Sequence, residues 1–380
     1  MKKPNHSNDN EGQNYDPATG KYIADFDVGG NLVDKALLAP GIQGDFTEEF
    51  WKDFIAAASD GAEEKKYPGE IESNKEKILS EIGKLLSDDE KKEFLDVLSN
   101  ISDDAVRKNY VDILVGRKNI PPIKFMKMPL GAKEAAAGYL GATHTIVFNT
   151  AYYKHGIYSY DEGHHFSTLF HEMGHAMDAV LERDGFSIGN AAGKEEYSTA
   201  RRDLRETIVS DINKLAKPEE KDENGKIKKE GKPGYKVLCD IVQEYVQSQF
   251  DKKMEGKDGM PSDVVMNIAT ELPCFFDIID YCRSEDPHGV KFKLPISHKN
   301  NDGKEIKAVV EIGHTAKYWN DDKTAIGKEA FAEISQTIAA MPHMIGMVEK
   351  YLPSTCARYK EIMQAMREKG DKENEQNKKK

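Results

Sequence analysis

Apolar residues return every three or four positions through most of this chain and alternate or run together in only a few short stretches. The pattern predicts an α+β fold, predominantly helical, with a small mixed sheet. Residues 1–45 hold no sustained period and are rich in Asn, Asp and Gly, which predicts a flexible polar arm. From 46 to 118 the period is helical: Ile78, Ile82, Leu85 and Leu86 share one face, and Ser87-Asp-Asp-Glu90 has the spacing of a capping box. Pro121-Pro122 ends that run. IKFMKM (123–128) and HTIVFNT (144–150) then read as strands, because their apolar and β-branched residues alternate or run together.

STLFHEMGHAMDAVLERDG (167–185) returns to the helical period. Phe170, Met173, Met177 and Leu181 form one apolar stripe, with Ser167 as the expected cap and Gly185 as the expected end. Residues from about 186 to 285 read as a helical insertion, in which the charged loop KPEEKDENGKIKKEGKPG (217–234) joins two helices and a third follows. VKFKLPISHKNNDGKEIKAVVEI (290–312) holds two strand-like runs around Asn-Asp-Gly, a hairpin signal. KEAFAEISQTIAAM (328–341) is helical, two proline-punctuated helices follow, and residues 366–380 read as a charged tail. The stretch 119–365, insertion included, is the expected main domain.

Composition narrows the function. The chain has 380 residues, 38% hydrophobic and 32% charged, with a net charge of −12. An acidic balance argues against nucleic acid as a partner, because phosphate binding needs a positive surface. No apolar run is long enough to span a bilayer, and no apolar segment follows the two N-terminal lysines as in a signal peptide. The expectation is a protein cytoplasmic as synthesised, with any export or injection by a route that needs no signal peptide. Cys239, Cys274, Cys282 and Cys356 lack paired spacing and read as reduced thiols.

The chemistry concentrates in HEMGHAMD (171–178). On a helix, positions four apart share a face, so His171 and His175 can aim two imidazoles at one zinc ion. Glu172 projects beside that face, placed to take a proton from a metal-bound water rather than to bind the ion. The bland alternative is a surface helix with idle histidines. The apolar stripe, the small Gly174 and the strand ahead of the helix count against it. Such a strand could hold an extended peptide by β-augmentation, which marks His144, Thr145, Ile146, Val147 and Phe148 as expected substrate-binding residues. Catalytic zinc usually takes a third protein ligand. Glu329 and Glu333, four apart on a later helix, offer one carboxylate for the ion and one to hold a histidine's other nitrogen, unless they are only a solvated acidic stripe.

HEMGHAMD followed by EAFAE resembles the lethal-factor-like zinc metallopeptidases, the group that includes the anthrax lethal factor and the Pro-Pro endopeptidases, with related domains in toxins and phage-associated proteins. The resemblance covers roughly residues 120–185 and 310–365. It implies a zincin-like domain, with Glu329 as the third zinc ligand and Glu333 as its support. It also implies a tyrosine that stabilises the oxyanion; Tyr318 is the nearest candidate, and packing beside Trp319 is its other reading. Asp178 matches a position that supports the site, and is the fallback ligand. The gap between His175 and Glu329 is longer than compact members show, so the insertion would loop out as a lid or a partner-binding surface.

His314 could orient a substrate or lie idle at the surface. His164 and His165 could line the cleft or sit in a loop. The expected function is therefore a zinc-dependent endopeptidase with one catalytic Zn2+ and a protein or peptide substrate. The competing readings are a non-catalytic zinc-binding interaction module of a toxin or phage particle, and a hydrolase of non-peptide amides.

Overall fold

A computed structural model describes residues 15–16, 21–22, 68–117, 120–128, 137–150, 166–183, 200–255, 264, 268–284, 292–299, 301–311, 314, 316–321 and 325–378. It is mostly helical with small sheets. The arm expected over 1–45 lies outside these residues except for the short pair Tyr15–Asp16 and Lys21–Tyr22, and the first part of the expected helical region, 46–67, lies outside them entirely.

Three helices open the larger of two compact units: α1 (Pro68–Ile82), α2 (Asp88–Asn100) and α3 (Asp104–Val115). The capping box forms as its spacing predicts: Glu90 N donates to Ser87 Oγ at 3.3 Å, and Ser87 N donates to Glu90 Oε2 at 2.6 Å. Then come β1 (Lys124–Met128), β2 (Ala137–Leu140) and β3 (Thr145–Asn149), in the order β1-β3-β2. β1 runs parallel to β3 and β2 antiparallel to it, so the sheet is mixed, as expected.

β2 was not foreseen, because Ala-Gly-Tyr-Leu has no β-branched alternation. Its hairpin is closed by His144, which turns at φ 51 and sits 2.7 Å through Nδ1 from Tyr139 Oη. This topology corrects the expected substrate strand. β3 is central and buried along its length, and both its edges are already paired. His144, Thr145, Ile146, Val147 and Phe148 therefore have no free backbone row to offer a peptide. A periodic apolar run signals a buried strand equally well at the centre or the edge of a sheet.

α4 (Ser167–Arg183) carries the motif. Phe170, Met173 and Met177 are fully buried, as the stripe predicts. The helix begins at Ser167 itself, and it is Phe166 whose carbonyl accepts from Phe170 N, at 3.0 Å. Phe166 holds φ 64, and its fully buried ring meets Phe94 edge-on at 5.4 Å. Gly185 lies outside the described residues.

After α5 (Ala200–Leu215), α6 (Gly234–Met254), α7 (Pro273–Ser284), β4 (Lys293–Lys299), β5 (Glu305–Glu311) and α8 (Ala316–Asp321) comes α9 (Ala325–Ala340), the hub of the larger unit. Fourteen of its 16 residues are buried, so it is a core helix rather than a surface one with an acidic stripe. It packs on α4, α5 and α7, while α10 (Ile345–Tyr351) and α11 (Pro353–Lys378) close the fold.

The stretch expected to loop out as an insertion over about 186–285 is divided differently. α5 and α7 are core helices, with Leu204, Ile208, Phe275, Phe276 and Ile279 fully buried. The smaller unit instead comprises Met1–Pro40, Gln243–Thr270 and Lys293–Glu311. Within it, β4 and β5 form the hairpin that Asn-Asp-Gly signalled. The Gln247 amide donates to Ser297 O at 2.7 Å and accepts from Ser297 N at 3.0 Å, closing one hairpin edge as a strand would.

Of the tail expected over 366–380, residues 366–378 are helical. α11 continues through Lys378, Met366 is buried, and Arg367 reaches Asp112 at 3.1 Å. Among the described residues no helix is long and apolar enough to cross a membrane.

A candidate metal centre between two helices

α4 and α9 meet closely because position 174 is glycine. A Cβ there would stand 2.7 Å from Ala332 Cα, so any larger residue forces the helices apart. The missing side chain makes room for the neighbouring helix. The approach faces His171 and His175, one turn apart on α4, with Glu329 and Glu333, one turn apart on α9.

Glu329 Oε2 lies 3.2 Å from His175 Nε2 and 3.5 Å from His171 Nε2. The imidazoles cross nearly at right angles, with centroids 4.6 Å apart. One donor atom from each of the three side chains falls within 4.8 Å of the others. Ligands about 2.0–2.1 Å from a tetrahedral zinc ion stand roughly 3.3 Å from one another, so the separations to Glu329 suit that ion. Glu329 Oε1 accepts a hydrogen bond from the Tyr318 hydroxyl, which leaves Oε2 as the oxygen turned to the histidines. Buried Oε2 has no hydrogen-bond partner among the described residues. Two imidazole nitrogens and one carboxylate oxygen on this spacing fit a zinc ion.

The neighbours hold these groups in place. His171 Nδ1 lies 3.3 Å from Glu333 Oε1, which favours a proton on that nitrogen and leaves Nε2 for the ion. Glu172 is buried on the motif helix, with its Oε2 lacking a hydrogen-bond partner among the described residues. Asp178 is fully buried, but it does not hold the His175 ring: His175 Nδ1 has no hydrogen-bond partner among the described residues. Behind the motif, Tyr110 Oη donates to Phe170 O at 3.2 Å, so the N-terminal helices that the resemblance left unplaced brace α4.

The electrostatics follow from burial and pairing. For His171 burial disfavours charge, but Glu333 and Glu329 outweigh it and lift the imidazole well above its ordinary range. For His175 burial wins over Glu329 and the ring is pushed down. Burial also opposes charge on Glu329, but His175 and His171 hold this carboxyl well below the usual range. Glu333 is raised, chiefly by burial. Without metal, then, the centre holds a proton on His171 that an ion must displace.

Two residues join the centre that sequence reasoning missed or left open. Asp277, from α7, and His314 group with Glu329 in a second cluster whose donor atoms lie within 4.8 Å of one another. Asp277 had no local signal, since it lies inside an apolar helical run. His314 was one of two readings of a single histidine. His164 and His165 lie outside the described residues. Neither family models, nor curated proteins, nor solved structures gave a match to this chain.

Proposed function

We propose that this chain is a zinc-dependent endopeptidase with a zincin-like, lethal-factor-like catalytic centre. The observation that carries the reading is the placing of Glu329, distant in sequence, at separations from His171 and His175 that suit tetrahedral zinc ligands, beside a buried glutamate. Buried carboxylates cost several kcal/mol unless something compensates them. Two on one core helix, aimed at two histidines, suit a functional centre better than a scaffold.

Bound there, zinc would polarise a peptide carbonyl and lower the pKa of a water to roughly 7. Glu172 takes the proton of the attacking water and delivers it to the leaving amine. Glu333 holds His171 by its far nitrogen, and Tyr318 holds Glu329 by its far oxygen, so each of these two residues would offer an ion a single atom. Since β3 is closed on both sides, an extended substrate would instead pair with β2. This strand lies against α4, and its outer edge has no strand partner among the described residues.

The test is proteome-wide cleavage profiling of the wild type beside Glu172→Gln, both loaded with zinc. The reading expects peptide products from the wild type alone, with zinc retained in both proteins. Identical products from the two, or none from either, would remove the peptidase reading.

A further inference from the structure

His314 is fixed from two sides. Its Nδ1 lies 3.1 Å and 3.2 Å from the two carboxylate oxygens of Asp277, a residue buried on α7. Its ring stacks on Tyr318 at 4.2 Å and 22°, and meets the buried Trp319 edge-on at 5.3 Å. Trp319 in turn packs on Tyr281, whose hydroxyl accepts from Arg205 Nε at 2.9 Å. So much support is unusual for a histidine whose side chain is 38% exposed, against 2% for its neighbour Glu329.

With Nδ1 tied to Asp277, Nε2 is the ring nitrogen left to meet a ligand. A carboxylate on one edge and an aromatic face beneath both favour the charged ring, and a charged ring carries a hydrogen at Nε2. The Tyr318 hydroxyl, which the family resemblance would assign to the oxyanion, is already donated to Glu329 Oε1.

Resting on the peptidase reading above, we propose that His314 is the donor to the substrate carbonyl oxygen as it becomes negative, that Asp277 positions it, and that Tyr318 serves Glu329 instead. As the water oxygen bonds to the carbonyl carbon, the π pair moves onto the carbonyl oxygen and the water's proton passes to Glu172. His314 Nε2–H donates to the new oxyanion. When the pair returns, the C–N bond breaks and the proton on Glu172 leaves with the amine.

The test compares His314→Ala, His314→Gln, Asp277→Asn and Tyr318→Phe in the full chain at saturating zinc. Its substrate is a peptide that the wild type cleaves and Glu172→Gln does not. His314→Ala should lower kcat by about 100- to 1,000-fold, with KM and zinc content little changed. His314→Gln, which keeps a donor, should recover part of that loss. Asp277→Asn should fall in the same direction and by less.

A phosphonate analogue of that peptide, whose charged oxygens stand in for the oxyanion, should bind His314→Ala at least tenfold more weakly than wild type. Tyr318→Phe should instead weaken zinc binding about 10- to 100-fold, as loss of a ligand's supporting partner does, and at saturating zinc should lower kcat by less than His314→Ala does. A kcat for His314→Ala within threefold of wild type, or a larger kcat loss in Tyr318→Phe, overturns the assignment while leaving the peptidase reading intact. A wild type that cleaves no peptide overturns both.

Discussion

Asp211 on α5 and Glu329 on α9 are buried carboxylates on helices that pack against each other, yet their surroundings differ in kind. Asp211 is met by donors that folding alone supplies. Its Oδ2 accepts from Thr355 N at 2.9 Å and Thr355 Oγ1 at 3.0 Å, and its Oδ1 from Lys214 Nζ at 3.2 Å, which pins the start of α11 to α5. Glu329 turns one oxygen to Tyr318 and the other to two imidazole nitrogens. Those nitrogens answer its charge only while they carry protons, and a bound cation could take the protons' place. One carboxylate is satisfied by the fold itself, and the other faces two histidines in a group that could hold a metal ion.

That contrast is most exposed by neutralising each side chain. Glu329→Gln should weaken zinc binding by about 1,000-fold or more, beyond the roughly 10- to 100-fold that an outer partner contributes, and should abolish hydrolysis. Calorimetric titration of zinc is the check. Its metal-free stability should move by less than about 1 kcal/mol, because the imidazoles can shed protons and the lost charge was costly to bury. A large drop in metal-free stability would place Glu329 with Asp211 as a scaffold group.

Separating the two helices should break the centre without touching a ligand. Gly174→Ala sets a Cβ against Ala332 Cα. Overpacking of this kind costs about 1–3 kcal/mol, and displaced carboxylates should weaken zinc about 10- to 100-fold. Unfolding curves with and without zinc measure both, and an unchanged zinc affinity would mean that the close approach does not set the geometry.

The converse holds for Asp211→Ala. Loss of the buried acceptor for Thr355 N and Thr355 Oγ1 should cost about 2 kcal/mol, with zinc affinity and cleavage as in the wild type. Altered zinc binding in this variant would blur the division between the two carboxylates.

The smallest effect concerns pH. Glu333 and Glu329 keep a proton on His171 above its ordinary value of 6.5. Below the raised value zinc must displace that proton, so apparent affinity should climb as pH rises through neutrality and level off once the proton is gone. An affinity flat across that range would contradict the pairing of His171 with Glu333.

What the sequence made legible follows the range of the interactions. The capping box at Ser87 and the Asn-Asp-Gly hairpin act within a few residues, and both formed where the pattern put them. The stripe of α4 fixed which way the motif helix faces. Glu329 and Glu333 shared a helix face by spacing alone, but that α9 is a core helix depends on α4, α5 and α7 surrounding it, which no local period encodes. The central place of β3 went unread for the same reason. So did the meeting of Asp277 with His314, and the packing of α5 and α7 into the core rather than a looped-out insertion.

The central claim is that two histidines and one glutamate hold a single catalytic zinc. X-ray absorption at the zinc edge of the loaded protein tests it most directly, with Glu329→Gln measured alongside. The account predicts one zinc per chain bound by two imidazoles and one carboxylate oxygen, with a further oxygen or nitrogen completing the shell and the carboxylate lost in the variant. Failure to hold stoichiometric zinc, a cysteine sulfur in the shell, or the same shell in Glu329→Gln would contradict it.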